Sequence, residues 1–240
     1  MAKIAPFPPT CSLDYHSLLL PLSKAHDALA RCDEKFIPSF LETLIQQEAR
    51  ASIKEQERGR KEKEMRVKQA IEWAISQKSY PLSFFCKLHR IIKKEGEEVG
   101  KVRTGQNWVG EEGSPIEDAW FIPPKASLLP RHLADWMHFS KEKKEDPLLQ
   151  IALLFAQLLI LHPFMDGNGR LARIFIPVFL WKRKVISHPF LFMSEYFMNN
   201  RLRYNQKLFG IPEKGGWEEW IIFFLEGVAE RSLQIKKSPY

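Results

Sequence analysis

Residues 162–173 read His-Pro-Phe-Met-Asp-Gly-Asn-Gly-Arg-Leu-Ala-Arg. They gather an imidazole at His162, a carboxylate at Asp166, a Gly167-Asn168-Gly169 turn and guanidiniums at Arg170 and Arg173, a set able to hold and attack a nucleotide phosphate. The turn residues tolerate positive φ and leave backbone N–H groups uncovered. A helix starting near Gly169 or Arg170 adds the positive end of its dipole, which makes an anion cradle. Arg170 and Arg173, one turn apart, place charge where the outer phosphates of a triphosphate would lie. Asp166 is the single carboxylate beside the cradle, and one Asp plus substrate phosphate oxygens is a common seat for Mg2+. His162, with an ordinary pKa of about 6.5, suits proton abstraction at neutral pH. Taken singly, a His before Pro is most often a helix cap and Asp-Gly-Asn-Gly a turn. It is their conjunction that points to phosphate chemistry.

The flanking segments must position this stretch. Residues 146–161 carry a helix start, with Asp146 as N-cap and Pro147 where a missing N–H costs nothing, followed by a run apolar on nearly all sides. Such a helix belongs at the centre of a domain. Pro163 disfavours the α conformation at His162, so the helix should end there with the imidazole at the loop mouth. Phe164 reads as an apolar plug. Beyond the loop, Ile174, Phe175, Val178, Phe179, Leu180 and Trp181 continue a second helix, with a kink expected at Pro177.

At these residues the chain resembles the Fic family, whose signature is His-x-Phe-x-Asp/Glu-Gly-Asn-Gly-Arg-x-x-Arg; every fixed position is present. The resemblance implies a protein adenylyltransferase that moves AMP from ATP to a Ser, Thr or Tyr hydroxyl of a target protein. It implies His162 as general base and Asp166 as the Mg2+ ligand. Gly167, Asn168, Gly169, Arg170, Leu171, Ala172 and Arg173 would hold the nucleotide, Arg173 taking either the outer phosphates or an inhibitory Glu. Relatives can also transfer phosphocholine, UMP or a phosphoryl group, or remove AMP. A reading from another class is a nucleotide- or nucleic-acid-binding regulator, against which an intact His162 and Asp166 argue.

The resemblance extends outward. Arg103-Thr104-Gly105-Gln106-Asn107-Trp108-Val109-Gly110 and Phe121-Ile122-Pro123-Pro124 resemble a flap that docks the target, which implies Gln106, Asn107, Trp108, Val109, Phe121 and Ile122 as partner-facing. Two β-prone pieces around a Gly-rich linker are read independently as a β-hairpin. Residues 194–204 resemble the segment closing over adenine and ribose, with Tyr196 offering a flat face and Asn200 an amide. Relatives with an N-terminal extension carry Ser-x-x-x-Glu-Gly/Asn on a helix, the Glu blocking the second signature Arg. Here Ser52 would set Gln56 in the inhibitory place, and the alternative frame uses Glu55. The first frame implies autoinhibition that is weakened or achieved differently.

With 240 residues, 45% of them hydrophobic, the chain can bury one sizeable core. Its net charge of +7 permits acidic partners without establishing nucleic-acid binding, which is not expected. Cys11, Cys32 and Cys86 fit no metal or disulfide spacing and read as free thiols, and no signal peptide is evident, so a cytoplasmic protein is expected. Homo-oligomerisation and automodification are compatible with the sequence, and membrane insertion is not expected.

In chain order, a Pro-rich arm covers residues 1–12. Helical patterns follow at 13–32, broken at Pro21 with Ser23 capping the continuation, and at 36–56, the two antiparallel. Mixed charge over 56–69 reads as a solvated connector or helix face rather than a nucleic-acid patch. Further helices are expected at 82–94, 128–139 and 217–228. His89, on the first of these, has no second ligand at matching spacing and reads as a packed histidine. The expected architecture is all-α with one hairpin flap: an extension over 1–80 with a regulatory helix at 41–57, a catalytic core over 81–235 with the flap at 100–124, and a basic tail over 236–240.

Overall fold

The computed structural model describes residues 7–9, 12–32, 37–53, 59–94, 96, 98–111 and 113–237. At its centre is helix α6 (Pro147–Leu161), capped by Asp146, whose Oδ1 accepts the Leu148 N–H at 2.8 Å. Every α6 residue after Pro147 is buried, and each fully buried Leu or Phe contributes about 1.5–3 kcal/mol. Two indoles grip its carbonyls. Trp136 of α5 (Leu129–Phe139) donates to Leu154 O at 2.8 Å, and Trp220 of α10 (Trp217–Lys237) to Ala152 O at 2.9 Å. Helix α7 (Asn168–Lys182) packs along α6 and continues through Pro177. Helices α3 (Arg60–Ser76) and α4 (Leu82–Lys93) cover its other side. The fold is all-α, as expected.

The N-terminal segment departs from its pattern. Helix α1 (Tyr15–Ala30) runs unbroken through Pro21 and is capped by Asp14, which corrects the expected break and the Ser23 cap. An internal Pro costs about 3 kcal/mol, but α1 is pinned along α10 through buried Leu18, Ala25, Ala28 and Leu29. Its two ends are tied down as well: Asp14 N donates to Glu218 Oε1 at 3.0 Å and Cys32 Sγ to Ser232 O at 3.3 Å. Those ties make α1 and α10 parallel. Helix α2 (Ile37–Ala51) is not the antiparallel mate of α1; it packs on α3 and on the short α8 (Ser194–Asn199). From Arg60 on, the charged stretch becomes the outer face of α3, stitched by i,i+4 pairs Arg60–Glu64 at 2.6 Å and Arg66–Glu62 at 3.1 Å, each worth a few tenths of a kcal/mol.

The expected hairpin flap is corrected to one isolated antiparallel bridge, Val109 opposite Phe121. Val109 N donates to Phe121 O at 2.8 Å and Phe121 N returns to Val109 O at 3.1 Å. The next hydrogen-bonded pair outward would set residue 107 against Pro123, which has no N–H to give. Inward, a 3-10 turn at Ile116–Asp118 takes the Ala119 N–H at 3.1 Å. The ladder therefore stops after one rung. Helix α9 (Arg201–Lys214) backs the bridge, with Phe209 stacked on Phe121 at 5.2 Å. No helix among the described residues is long and apolar enough to cross a membrane.

Candidate active site

Helix α6 ends as Pro163 requires, but by a specific device: His162 adopts a left-handed conformation (φ 47°, ψ 60°). That conformation is unusual for a non-glycine residue, and the surroundings enforce it. Arg103, 2% exposed, fastens the carbonyls at the helix end. Its Nε donates to His162 O at 2.8 Å, its Nη2 to Pro124 O at 2.6 Å and Leu161 O at 3.3 Å, and its Nη1 to Gly105 O at 2.9 Å. Its own N–H donates to Pro163 O at 2.9 Å. Asn107 Nδ2 adds bonds to His162 O at 3.3 Å and Phe164 O at 2.9 Å. A buried guanidinium spent on carbonyls at a helix C-terminus also meets the negative end of the dipole.

His162 Nδ1 lies 3.2 Å from Leu159 O. A carbonyl only accepts, so Nδ1 carries the hydrogen and the neutral ring keeps its lone pair on Nε2. Burial, with Arg103 nearby, pushes the His162 pKa down from 6.5 to about 4. At neutral pH the imidazole is an unprotonated acceptor.

The loop closes on itself through Asn168, whose Oδ1 accepts from Phe164 N at 3.0 Å while Nδ2 donates to Phe164 O at 2.8 Å. That side chain is consumed, so Asn168 can serve a ligand only through its backbone. Gly167 takes φ 79°, a left-handed angle that turns the chain into α7, and no side chain caps that helix start. The cradle is therefore open. Leu171 and Ala172 are buried in the core, and the Leu171 N–H is already given to Gly167 O at 3.1 Å.

Asp166 stands at the cradle mouth. Oδ2 contacts Lys93 Nζ and lies 3.4 Å from Arg170 Nη2; Oδ1 accepts the Gly167 N–H. Burial acts to raise its pKa, but Lys93, Arg170 and the Gly167 N–H together hold it at about 2. Among the described residues no group of three potential metal ligands exists. An ionised, solvent-facing lone carboxylate fits Mg2+ held jointly with substrate phosphates, the mode in which protein contributes one oxygen.

Arg173, half-buried, has no partner for its buried Nε among the described residues, and its Nη2 reaches Ser52 O at only 3.4 Å. An under-satisfied buried guanidinium is an orphan donor that an anion would complete. Its counter-charge is Glu48, 3% exposed on α2, which accepts from the Ser194 N–H at 3.2 Å, the Ser194 hydroxyl and the Ser52 hydroxyl. Burial raises the Glu48 pKa against the pull of Arg173. Gln56 and Glu55, between which the regulatory frame was to be decided, lie outside the described residues.

Tyr196 does not sit as the resemblance implied. It is 2% exposed, its hydroxyl donates to Phe223 O at 3.1 Å, and its ring packs on Phe197 and Phe223. A ring so enclosed offers no face to a base. Asn200 is half-buried, with its amide donating to Tyr196 O at 3.0 Å. In the flap region, Asn107 is buried against the loop, Gln106 Nε2 donates to Asn107 O and Pro123 O at 3.0 Å each, and Phe121 is core. Val109 and Ile122 are half-buried, and Trp108 and Trp120 are the exposed aromatics. His89, Lys93 and Arg103 act on the loop and Glu48 on the charge of Arg173, yet sequence reasoning gave none of them that role.

Such an all-helical core, with an open helix N-terminus between a histidine and two arginines, defines the class of Fic-type folds. Residues 79–180 match the Fic/DOC family. It is 29% identical over 97 residues to the protein adenylyltransferase fic-1 of Caenorhabditis briggsae, a match over 40% of this chain and 18% of that protein. The chain thus spans less than a fifth of the curated relatives it matches. In fold it is similar to a Fic family protein from Desulfovibrio desulfuricans G20 (TM-score 0.75, 14% identity, 98% of this chain and 76% of that one). It is also similar to Fic-1 of Caenorhabditis elegans (TM-score 0.59, 16% identity, 95% of this chain and 73% of that one).

Proposed function

We propose that the protein is a Fic-type transferase that moves AMP from ATP to a Ser, Thr or Tyr hydroxyl of a target protein. The observation that carries this reading is the pairing of a tautomer-fixed, neutral His162 with the uncapped start of α7 and the orphaned Arg173 donor. The α7 N–H groups hold the phosphates, and Arg170 and Arg173 take the outer ones. His162 Nε2 accepts the proton of the incoming hydroxyl as its oxygen bonds to the α-phosphorus. The bond from that phosphorus to the β-bridging oxygen breaks, and pyrophosphate leaves with the electron pair. Bound Mg2+ would neutralise phosphate charge beside Asp166. Rate enhancement then comes from positioning and from charge stabilisation within a preformed cradle. The name of the fic-1 relative, a protein adenylyltransferase, supports the same reaction.

The target is expected at the 103–124 segment, where Trp108 and Trp120 stand exposed. Incubation with Mg2+ and α-labelled ATP, with and without cell lysate, is expected to label protein. His162→Ala, folded by circular dichroism, should lose roughly 10^2–10^4-fold of that rate. Undiminished labelling by the variant would remove His162 as the base.

A further inference from the structure

Helix α4 presents two side chains one turn apart to Asp166. Lys93 contacts the carboxylate, whereas His89 contacts the main chain: its Nε2 lies 2.9 Å from Asp166 O. The other ring nitrogen is also engaged, because Gly100 N donates to His89 Nδ1 at 2.9 Å. A backbone N–H only donates, so Nδ1 is bare and Nε2 carries the hydrogen it gives to Asp166. The ring is 3% exposed and lies flat on Phe164, centroids 4.3 Å apart and planes 9° apart. It also backs the turn itself, since a Cβ on Gly167 would stand 3.5 Å from His89 Cδ2.

We infer that His89 is a positioning residue: oriented by the Gly100 N–H on one nitrogen, it ties the Asp166 carbonyl to α4 through the other, and so aims the Asp166 carboxylate at the phosphates. A histidine wanted only for bulk would leave its nitrogens idle, and Phe would serve better in so apolar a slot. Here each nitrogen has its own partner on a different segment. Outer-shell partners of this kind orient a metal's ligands even though they never touch the metal. This inference rests on reading Asp166 as the carboxylate that holds Mg2+ with ATP.

The two contacts can be separated by chemistry. In His89→Asn the amide oxygen falls where Nδ1 was, so the Gly100 bond survives and the Asp166 bond is lost. In His89→Gln the amide nitrogen falls near Nε2, so the Asp166 bond survives. His89→Phe keeps the stacking alone. Calorimetric ATP binding, with Mg2+ and with EDTA, is to be compared across these variants after melting curves establish that each folds. The wild type is expected to bind ATP more tightly with Mg2+; His89→Gln should keep most of that gain, and His89→Asn and His89→Phe should lose roughly 10–100-fold of it. Retention of the gain by His89→Asn, or no Mg2+ gain in the wild type, overturns the inference.

The unsubstituted protein provides an independent readout, should the variants fail to fold. Nitrogen-15 spectra of its histidines should show His89 neutral with the hydrogen on Nε2, and a hydrogen on Nδ1 would overturn the inference. The two readings fail separately. Absence of AMP transfer alongside a Mg2+ gain that only His89→Asn and His89→Phe lose would sink the proposed function and leave the role of His89 standing. AMP transfer alongside a gain that His89→Asn keeps would do the reverse.

Discussion

His162 acts as an acceptor because of where its chain neighbours put it. Burial holds its pKa at about 4, and in the proposed reaction the neutral ring is the base. The acid limb of kcat/KM, which reports the free enzyme, should therefore fall near pH 4 rather than near the ordinary value of about 6.5. A limb near 6.5 would mean that the imidazole is solvated in the free protein. The same depression bears on folding: the unfolded chain takes up the proton first as pH falls, so stability is full above about 6.5 and declines toward pH 4. Arg103 is a second residue-scale test. Arg103→Lys cannot reach all the carbonyls now bound, and stranding two or three of them should cost about 3 kcal/mol in urea unfolding. Unchanged stability would show that water replaces the guanidinium freely. The contiguous groups of the 162–173 stretch were legible in sequence, because their chemistry needs no folding to be seen together. His89 was not, since its partners lie 11 and 77 residues away. Tyr196 was singled out by resemblance of its segment, which does not say which side of that helix faces the core; its ring is buried.

At the scale of elements, the outcome turned on what competes with local preference. The uniformly apolar run of α6 left it nowhere to go but the centre, and Asp146-Pro147 fixed its start. Pro21 looked like a break, yet burial of Leu18 and Ala25 against α10 outweighed one lost hydrogen bond. The flap had β-prone composition and lost its ladder to Pro123 and to the turn at 116–118, a matter of register that composition does not carry. The contact of α8 with α10 offers a sharp check. A Cβ on Gly227 would stand 2.4 Å from Tyr196 Cε1, inside a buried ring that cannot swing away. Gly227→Ala should therefore lower stability by about 1–3 kcal/mol, although the same change in an open helix gains about 1 kcal/mol. A stabilised variant would contradict the packing of Tyr196 described here.

At the scale of the whole molecule, the N-terminal helices pack on the rest of the chain at two places. Helix α1 covers α10, while α2 delivers Glu48 to Ser194 and sets it facing Arg173. The extension is thus part of the core and of the arginine's surroundings. Deletion of residues 1–32 should strip an apolar face from α10 and yield protein that aggregates or melts without cooperativity. A truncated protein melting like the full chain would mean that α1 is an accessory. The central claim, AMP transfer from a cradle at α7, is tested most directly by supplying the protein and cell lysate with Mg2+ and ATP labelled at either the α- or the γ-phosphate. Protein-bound label from the α position alone is the predicted result, and label arriving from the γ position would contradict it.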